Sequence, residues 1–276
     1  MVLLTGLGDN AHRFDKFALK LTGTYHVYGI TRRGFGASSV PEPNGANYSA
    51  DRLGDDVLAV MDALKINKPV LVGHSIGGEE LSSVGSRHPE KVAGLIYLDA
   101  GYSYAYYDRA KGDLMVDLPE LQKKLERLEP GKGDTRPIIQ ELLETTLPAF
   151  EKDLREEQKQ LQAMPPAVLA AQASAPVPAG TAAIIAGAQK YTEIHVPILA
   201  IFAVPHDMGQ ATGNDPAARA AFEARDEAST GGQATAFEKG VPSARVVRVA
   251  HANHYVFLSN EADVLREMNT FLATLP

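Results

Sequence analysis

The sequence predicts an α/β fold, a mostly parallel sheet flanked by helices with a helical cap inserted partway through it. Three observations predict this. Short β-branched or leucine-rich runs alternate with amphipathic stretches up to Asp99 and again after residue 193, the pattern of strands joined by crossover helices. Between those parts the chain turns charged and helical, then rich in Ala and Pro, and the alternation stops. At residues 73–77 a buried apolar run passes directly into a helical stretch through a turn that begins and ends with glycine.

Taken in order, Val2–Thr5 reads as a strand, Arg13–Leu21 as a helix and Tyr25–Ile30 as a strand. Ser49–Leu64 is predicted helical because Leu53, Val57, Val60, Met61 and Leu64 recur on one face. Pro69–Gly73 and Val92–Leu98 are strands separated by a helix from Ile76 to His88. From Tyr102 to Tyr191 the expected cap contains the amphipathic Leu118–Leu128 and a charge-poor elbow, Pro165–Gly180. Pro197–Val204 and Ala244–Ala250 are strands, Pro216–Phe237 is largely helical and Glu261–Leu272 is a closing helix. The expected division is a core at 1–101, a cap at 102–192 and the rest of the core at 193–276.

Composition narrows the function classes. A net charge of -7 with no concentration of Lys and Arg argues against a nucleic-acid partner. The absence of cysteine excludes disulfides, thiolate nucleophiles and Cys-based metal sites. No apolar run approaches the roughly 18 residues of a membrane span, and the N-terminus lacks the basic start of a signal peptide. As written the chain is expected to be cytoplasmic, unless an upstream leader has been lost.

The strongest local signal is Val70-Leu71-Val72-Gly73-His74-Ser75-Ile76-Gly77-Gly78, a strand running into Gly-x-Ser-x-Gly and then a helix. A turn this sharp leaves no room for side chains beside the serine and thrusts its hydroxyl out at the carboxyl end of the sheet. Here the sequence resembles the α/β-hydrolase family. Gly73–Gly78 is like that family's nucleophile elbow, Leu3-Leu4-Thr5-Gly6-Leu7-Gly8 is similar to its oxyanion loop, and Arg33-Gly34-Phe35-Gly36-Ala37-Ser38 to its Arg-Gly-x-Gly-x-Ser turn. The resemblance implies the catalytic order Ser, acid, His. It points to Ser75 as nucleophile, His254, between the last strand and last helix, as general base, and Asp207, just past Ile198–Val204, as the orienting carboxylate. Asp99, at the end of an earlier strand, is the alternative acid; its plain reading is a turn cap. His251 competes with His254, and the remaining histidines, His206 among them, read as surface or structural.

The same resemblance implies an oxyanion hole built from the backbone N–H groups of Leu7 and Ile76. Thr5 stands where the family usually has His, which leaves open how that loop is braced. Tyr102, Tyr104 and Tyr106, where the cap leaves the core, and Phe257 beyond the histidine are expected to line the substrate pocket; packing between cap and core is the equal alternative for the tyrosines.

The implied activity is that of a serine esterase, a carboxylesterase cleaving small to medium esters without metal or cofactor. C–C bond hydrolysis, lactone opening and perhydrolysis run on the same triad. Two other classes remain open: a hydrolase-fold ligand-binding protein, and an NADP-dependent short-chain reductase suggested by Gly6-x-Gly8-x-x-Ala11, by Arg32-Arg33 and by the Tyr107/Lys111 spacing. The reductase reading leaves the Gly73–Gly78 turn unexplained. His251-x-x-His254 lacks the glutamate of a zinc-binding His-Glu-x-x-His helix. The strands with which the family's core normally begins are expected to be missing ahead of Val2, which would leave Tyr25–Ile30 at an exposed edge for a homodimer or a covering loop to manage.

Overall fold

The computed structural model describes residues 1–163, 176–207, 209 and 216–276. Six strands form one sheet: β1 (Val2–Leu4), β2 (Tyr28–Ile30), β3 (Val70–His74), β4 (Gly94–Leu98), β5 (Ile198–Ala203) and β6 (Ala244–Val249). Their order across the sheet is β2-β1-β3-β4-β5-β6, and every neighbouring pair is parallel. All strands therefore end along one rim, and the loops leaving them converge there.

The apolar runs explain the layering. Side chains alternate across a strand, so Val2, Leu4, Leu71, Leu95, Tyr97, Ile198, Ala200 and Phe202 enter one core. Leu3, Val72, Ile96, Leu98, Leu199, Ile201 and Ala203 enter the other. Helices α2 (Ala50–Ala63) and α3 (Gly77–Arg87) cover the first face with Leu53, Val57, Met61, Leu81 and Val84. α1 (Asp15–Leu21) and the last helix, α11 (Glu261–Leu272), cover the second with Phe17, Leu21, Val264, Met268 and Phe271. Because both faces are covered, β4 and β5 are buried along their whole length, which is why they read as unbroken hydrophobic runs. Ser49 caps α2, its hydroxyl accepting from the Arg52 N–H at 3.3 Å.

Between β4 and β5 lie α4 (Leu114–Glu126), α5 (Arg136–Glu141), α6 (Leu147–Ala163) and α7 (Ala179–Ala186). Leu121, Ile138 and Leu142 form a small separate core there. Part of the expected 165–180 elbow, residues 164–175, lies outside the described residues. Past β5, the predicted helix Pro216–Phe237 is in fact α8 (Pro216–Asp226), a π-helical turn at Glu227–Gly231, and α9 (Gly232–Gly240). α10 (Val256–Ser259) precedes α11. Only Tyr28–Ile30 of the predicted Tyr25–Ile30 strand pairs, and it stands at the end of the sheet. Among the described residues, no helix is long and apolar enough to cross a membrane.

Candidate active site

Ser75 occupies the single-residue bend between β3 and α3 with φ of 52°, a left-handed conformation that costs a non-glycine residue energy. Its flanking Gly73 is required by contact: a Cβ there would lie 2.8 Å from the Gly77 carbonyl oxygen. The bend leaves the serine partly exposed among buried neighbours, with the Tyr104 hydroxyl beside its side chain. The loop after β1 passes directly over it. Among the described residues, neither the Leu7 nor the Ile76 backbone N–H has a hydrogen-bond acceptor, and the Ile76 N–H opens α3, where the helix dipole favours negative charge.

His254 reaches the same place from the loop after β6. Its Nδ1 lies 2.6 Å from Asp99 Oδ2, and its side chain is 40% exposed, so the far side of the ring faces solvent. The ring stands 4.7 Å from that of His74, the residue preceding Ser75. His74 Nε2 donates to the His254 carbonyl at 3.0 Å, since a carbonyl can only accept. Burial lowers the His74 pKa to about 4, so His74 is a neutral strut beneath the exposed ring.

Asp207 does not take part. Its exposed carboxylate accepts from the Gly209 N–H at 2.7 Å, and nothing joins it to His254. Alternation along an extended chain explains the correction. Beyond β5 the chain stays paired with the segment at Ala252, as His206 bridges Ala252 and the Asp207 N–H donates to the Ala252 carbonyl at 2.8 Å. His206 therefore faces inward and Asp207 outward.

Asp99, the alternative acid, is fully buried at φ 47°. The Ala203 N–H donates to its Oδ1 at 2.9 Å, and Oδ2 receives His254 Nδ1, His206 Nε2 at 2.8 Å and the Tyr102 hydroxyl at 3.0 Å. Burial alone would raise its pKa; the hydrogen bonds from His206 and His254 more than offset this and hold it below the usual carboxylate value.

The other expected residues separate into two groups. Tyr102 lies 6.5 Å from the His254 ring and Tyr104 packs 5.8 Å from Tyr102, so both belong to the site. Tyr106 packs instead on Phe237 at 5.5 Å, with its hydroxyl over Gly240. Phe257 is a core residue, fully buried between Phe14 at 4.7 Å and Phe17 at 5.5 Å, because α10 turns it under the histidine loop. Two contributors escaped sequence reasoning. The sequence offers His206 as a surface or structural histidine, and Arg32 as half of a phosphate-binding pair. Arg32 is buried, paired with Glu80 at 2.6 Å, and donates to the Thr5 carbonyl at 2.9 Å and the Gly6 carbonyl at 3.3 Å. The loop that lacks the usual histidine is braced from behind by this guanidinium. Arg33 pairs with Asp56, and Tyr107 donates to Asp117 at 2.8 Å, so the features that suggested a reductase serve ion pairs and packing.

Asp99, His206 and His254 bring three potential ligand atoms within 4.8 Å of one another. The spacing suits protons. Both imidazole nitrogens address one carboxylate oxygen, at 2.6 and 2.8 Å, whereas nitrogen and oxygen ligands around a tetrahedral zinc stand about 3.3 Å apart. His251 is mostly exposed at φ 57° and does not join His254.

A glycine-flanked serine in a left-handed bend at the carboxyl rim of a parallel sheet, between a braced amide loop and a carboxylate-bound histidine, is the observation that decides the family of folds. The chain has the α/β-hydrolase fold. A family model described as alpha/beta hydrolase fold matches residues 1–123. The chain is 33% identical over 110 residues to a fluoroacetate dehalogenase from Burkholderia sp., covering 39% of this chain and 36% of that protein. It is 40% identical over 108 residues to a 2-hydroxymuconate semialdehyde hydrolase from Pseudomonas sp. (strain CF600), 38% of each chain. These matches span little more than a third of the relatives' own length. The enol-lactonase from Burkholderia xenovorans LB400 superimposes on the α/β-hydrolase fold of this chain with a TM-score of 0.56, at 21% identity, covering 99% of this chain and 90% of the other.

Proposed function

We propose that the chain is a serine hydrolase that cleaves small to medium carboxylic esters through an acyl-enzyme on Ser75. The observation that carries this reading is a strained, partly exposed serine whose chain neighbour, His74, stands 4.7 Å ring to ring from a histidine with Nδ1 fixed at 2.6 Å from a buried carboxylate. A serine hydroxyl does not ionise near neutrality, so attack requires a base. With Nδ1–H committed to Asp99, Nε2 of His254 is the free lone pair of the ring. It takes the Ser75 proton as Oγ attacks the ester carbonyl, and Asp99 stabilises the imidazolium. The tetrahedral oxyanion is received by the Leu7 and Ile76 N–H groups. His254 then protonates the departing alkoxide, and water activated by the same nitrogen releases the acid.

Tyr102 and Tyr104 form the pocket wall in this reading. A serine, rather than a carboxylate, at the nucleophile position favours acyl chemistry over the attack used by dehalogenases and epoxide hydrolases of this fold. Cleavage of a carbon–carbon bond on the same residues is the second reading, favoured by the 40% identity over 108 residues to the 2-hydroxymuconate semialdehyde hydrolase.

The test is labelling with a fluorophosphonate, followed by peptide mapping, together with turnover of p-nitrophenyl esters of graded acyl length. The expected result is one adduct on Ser75 and steady-state turnover that Ser75→Ala abolishes. Absence of both the adduct and turnover refutes the reading.

A further inference from the structure

Among the described residues at the rim, His206 is the one whose two ring nitrogens both address carboxylates. Nε2 lies 2.8 Å from Asp99 Oδ2, and Nδ1 lies 2.9 Å from Asp226 Oδ2. Asp226 is itself saturated with donors, receiving the His206 N–H at 2.7 Å and the Thr230 hydroxyl at 2.8 Å. A neutral imidazole carries one N–H and would turn a lone pair toward one of the two anions. Only the imidazolium satisfies both. The side chains are well covered, His206 at 13% exposure and Asp226 at 10%, so the attraction is weakly screened.

We propose that His206 is a positioning residue, a cation held between Asp99 and Asp226 that fixes Asp99 and cancels part of its charge, so that His254 stays a free base at lower pH than Asp99 alone would permit. The inference rests on the hydrolase reading for its catalytic meaning and on geometry for its charge. The His206 pKa agrees: burial would lower it, but hydrogen bonds to Asp226 and Asp99 push it up to about 10. The two rings stand 6.2 Å apart, close enough for the charge on one to be felt by the other. The other groups facing the pair are Tyr102, which shares Asp99, and Asp207, Arg219, Glu223 and His251, which line the adjoining cavity. On the His254 side they are His74, Tyr255 and Asp9, which accepts from the Tyr255 hydroxyl at 3.2 Å. None of these donates to Asp99 apart from Tyr102, so the cation next to the triad carboxylate is His206.

The sign follows directly. With the cation gone, Asp99 presents its full negative charge to His254, the protonated imidazole is favoured, and the histidine is titrated out of its basic form at higher pH. The experiment follows the His254 ring resonances by NMR across pH in the wild-type protein, in His206→Gln and in Asp226→Asn, alongside the pH profile of kcat/KM on p-nitrophenyl acetate. The expected result is an upward move of the His254 midpoint and of the acid limb by roughly one pH unit in His206→Gln, from the Coulomb effect of one charge at this range. In Asp226→Asn the midpoint of His206 itself falls, because the cation has lost one of its two anions, and the wild-type ¹⁵N shifts show both His206 nitrogens protonated at pH 8. A neutral His206 at pH 8, or a midpoint unmoved in folded variants, overturns the proposal. Midpoints that move in a protein lacking any hydrolysis or Ser75 adduct support the charge compensation by His206 and refute only the hydrolase reading.

Discussion

The end of β4 and the first turns of α3 each bury a carboxyl group completely, and the two groups are treated in opposite ways. Asp99 receives four donors and is held below the usual carboxylate range. Glu79, four residues beyond Ser75, has no hydrogen-bond partner for either oxygen among the described residues. Burial, with Arg32 only partly opposing it, drives its pKa well above the usual value. Depth alone does not decide ionisation. The supply of donors does, and the rim of the sheet concentrates them because the ends of β4, β5 and β6 meet there.

The comparison is broken most severely by Asp99→Asn. The amide cannot orient the imidazole in the tautomer that frees Nε2, and kcat is expected to fall by about 10⁴, the scale seen when a triad carboxylate is neutralised. Steady-state kinetics on p-nitrophenyl esters measures it, and Asp207→Asn in the same assay stays within about twofold, as ordinary surface changes do. A loss in Asp207→Asn equal to that in Asp99→Asn would falsify the assignment.

Glu80→Gln comes next. It leaves the Arg32 guanidinium buried without its anion, and breaking such a pair costs about 3–5 kcal/mol, to be read from urea unfolding. Because Arg32 also braces the Thr5–Gly6 peptides, kcat should drop as well, with KM less affected. Glu79→Gln acts in the opposite direction. A carboxyl whose folded pKa is raised contributes stability below its unfolded value, and that contribution is lost as pH rises toward the folded one. The wild type should therefore lose stability above the normal glutamate range, by about 1–3 kcal/mol, while Glu79→Gln stays flat. Thermal melts at pH 5 and pH 8 distinguish them. A smaller effect on catalysis belongs to Tyr102→Phe, which removes one of the four donors on Asp99; a loss of about 1 kcal/mol in kcat/KM is expected.

What could be read from the sequence was what is local. The apolar runs and the glycines on both sides of Ser75 are contiguous, so the sheet, the bend and the serine were legible. His254 was legible from its place between the last strand and the last helix. The acid was not, because Asp99 and Asp207 both follow strands, and which one faces the histidine depends on a left-handed residue at 99 and on strand-like alternation past β5. The place of His206 beside Asp99 was not legible for the same reason: its partners Asp99 and Asp226 are remote in the chain and meet it only in the fold. Tyr106 and Phe257 lie near site residues in sequence, yet α9 and α10 turn them into packing.

The Arg32 clasp has an effect beyond stability. A trans peptide carries its oxygen and its hydrogen on opposite sides of one rigid plane. By holding the Gly6 oxygen from the rear, at 3.3 Å, the guanidinium also dictates where the Leu7 hydrogen points. The aim of the amide proposed to receive the oxyanion is thus set by a charge hidden on the far side of the bond, and in that reading substrate meets a donor that has no freedom to turn away.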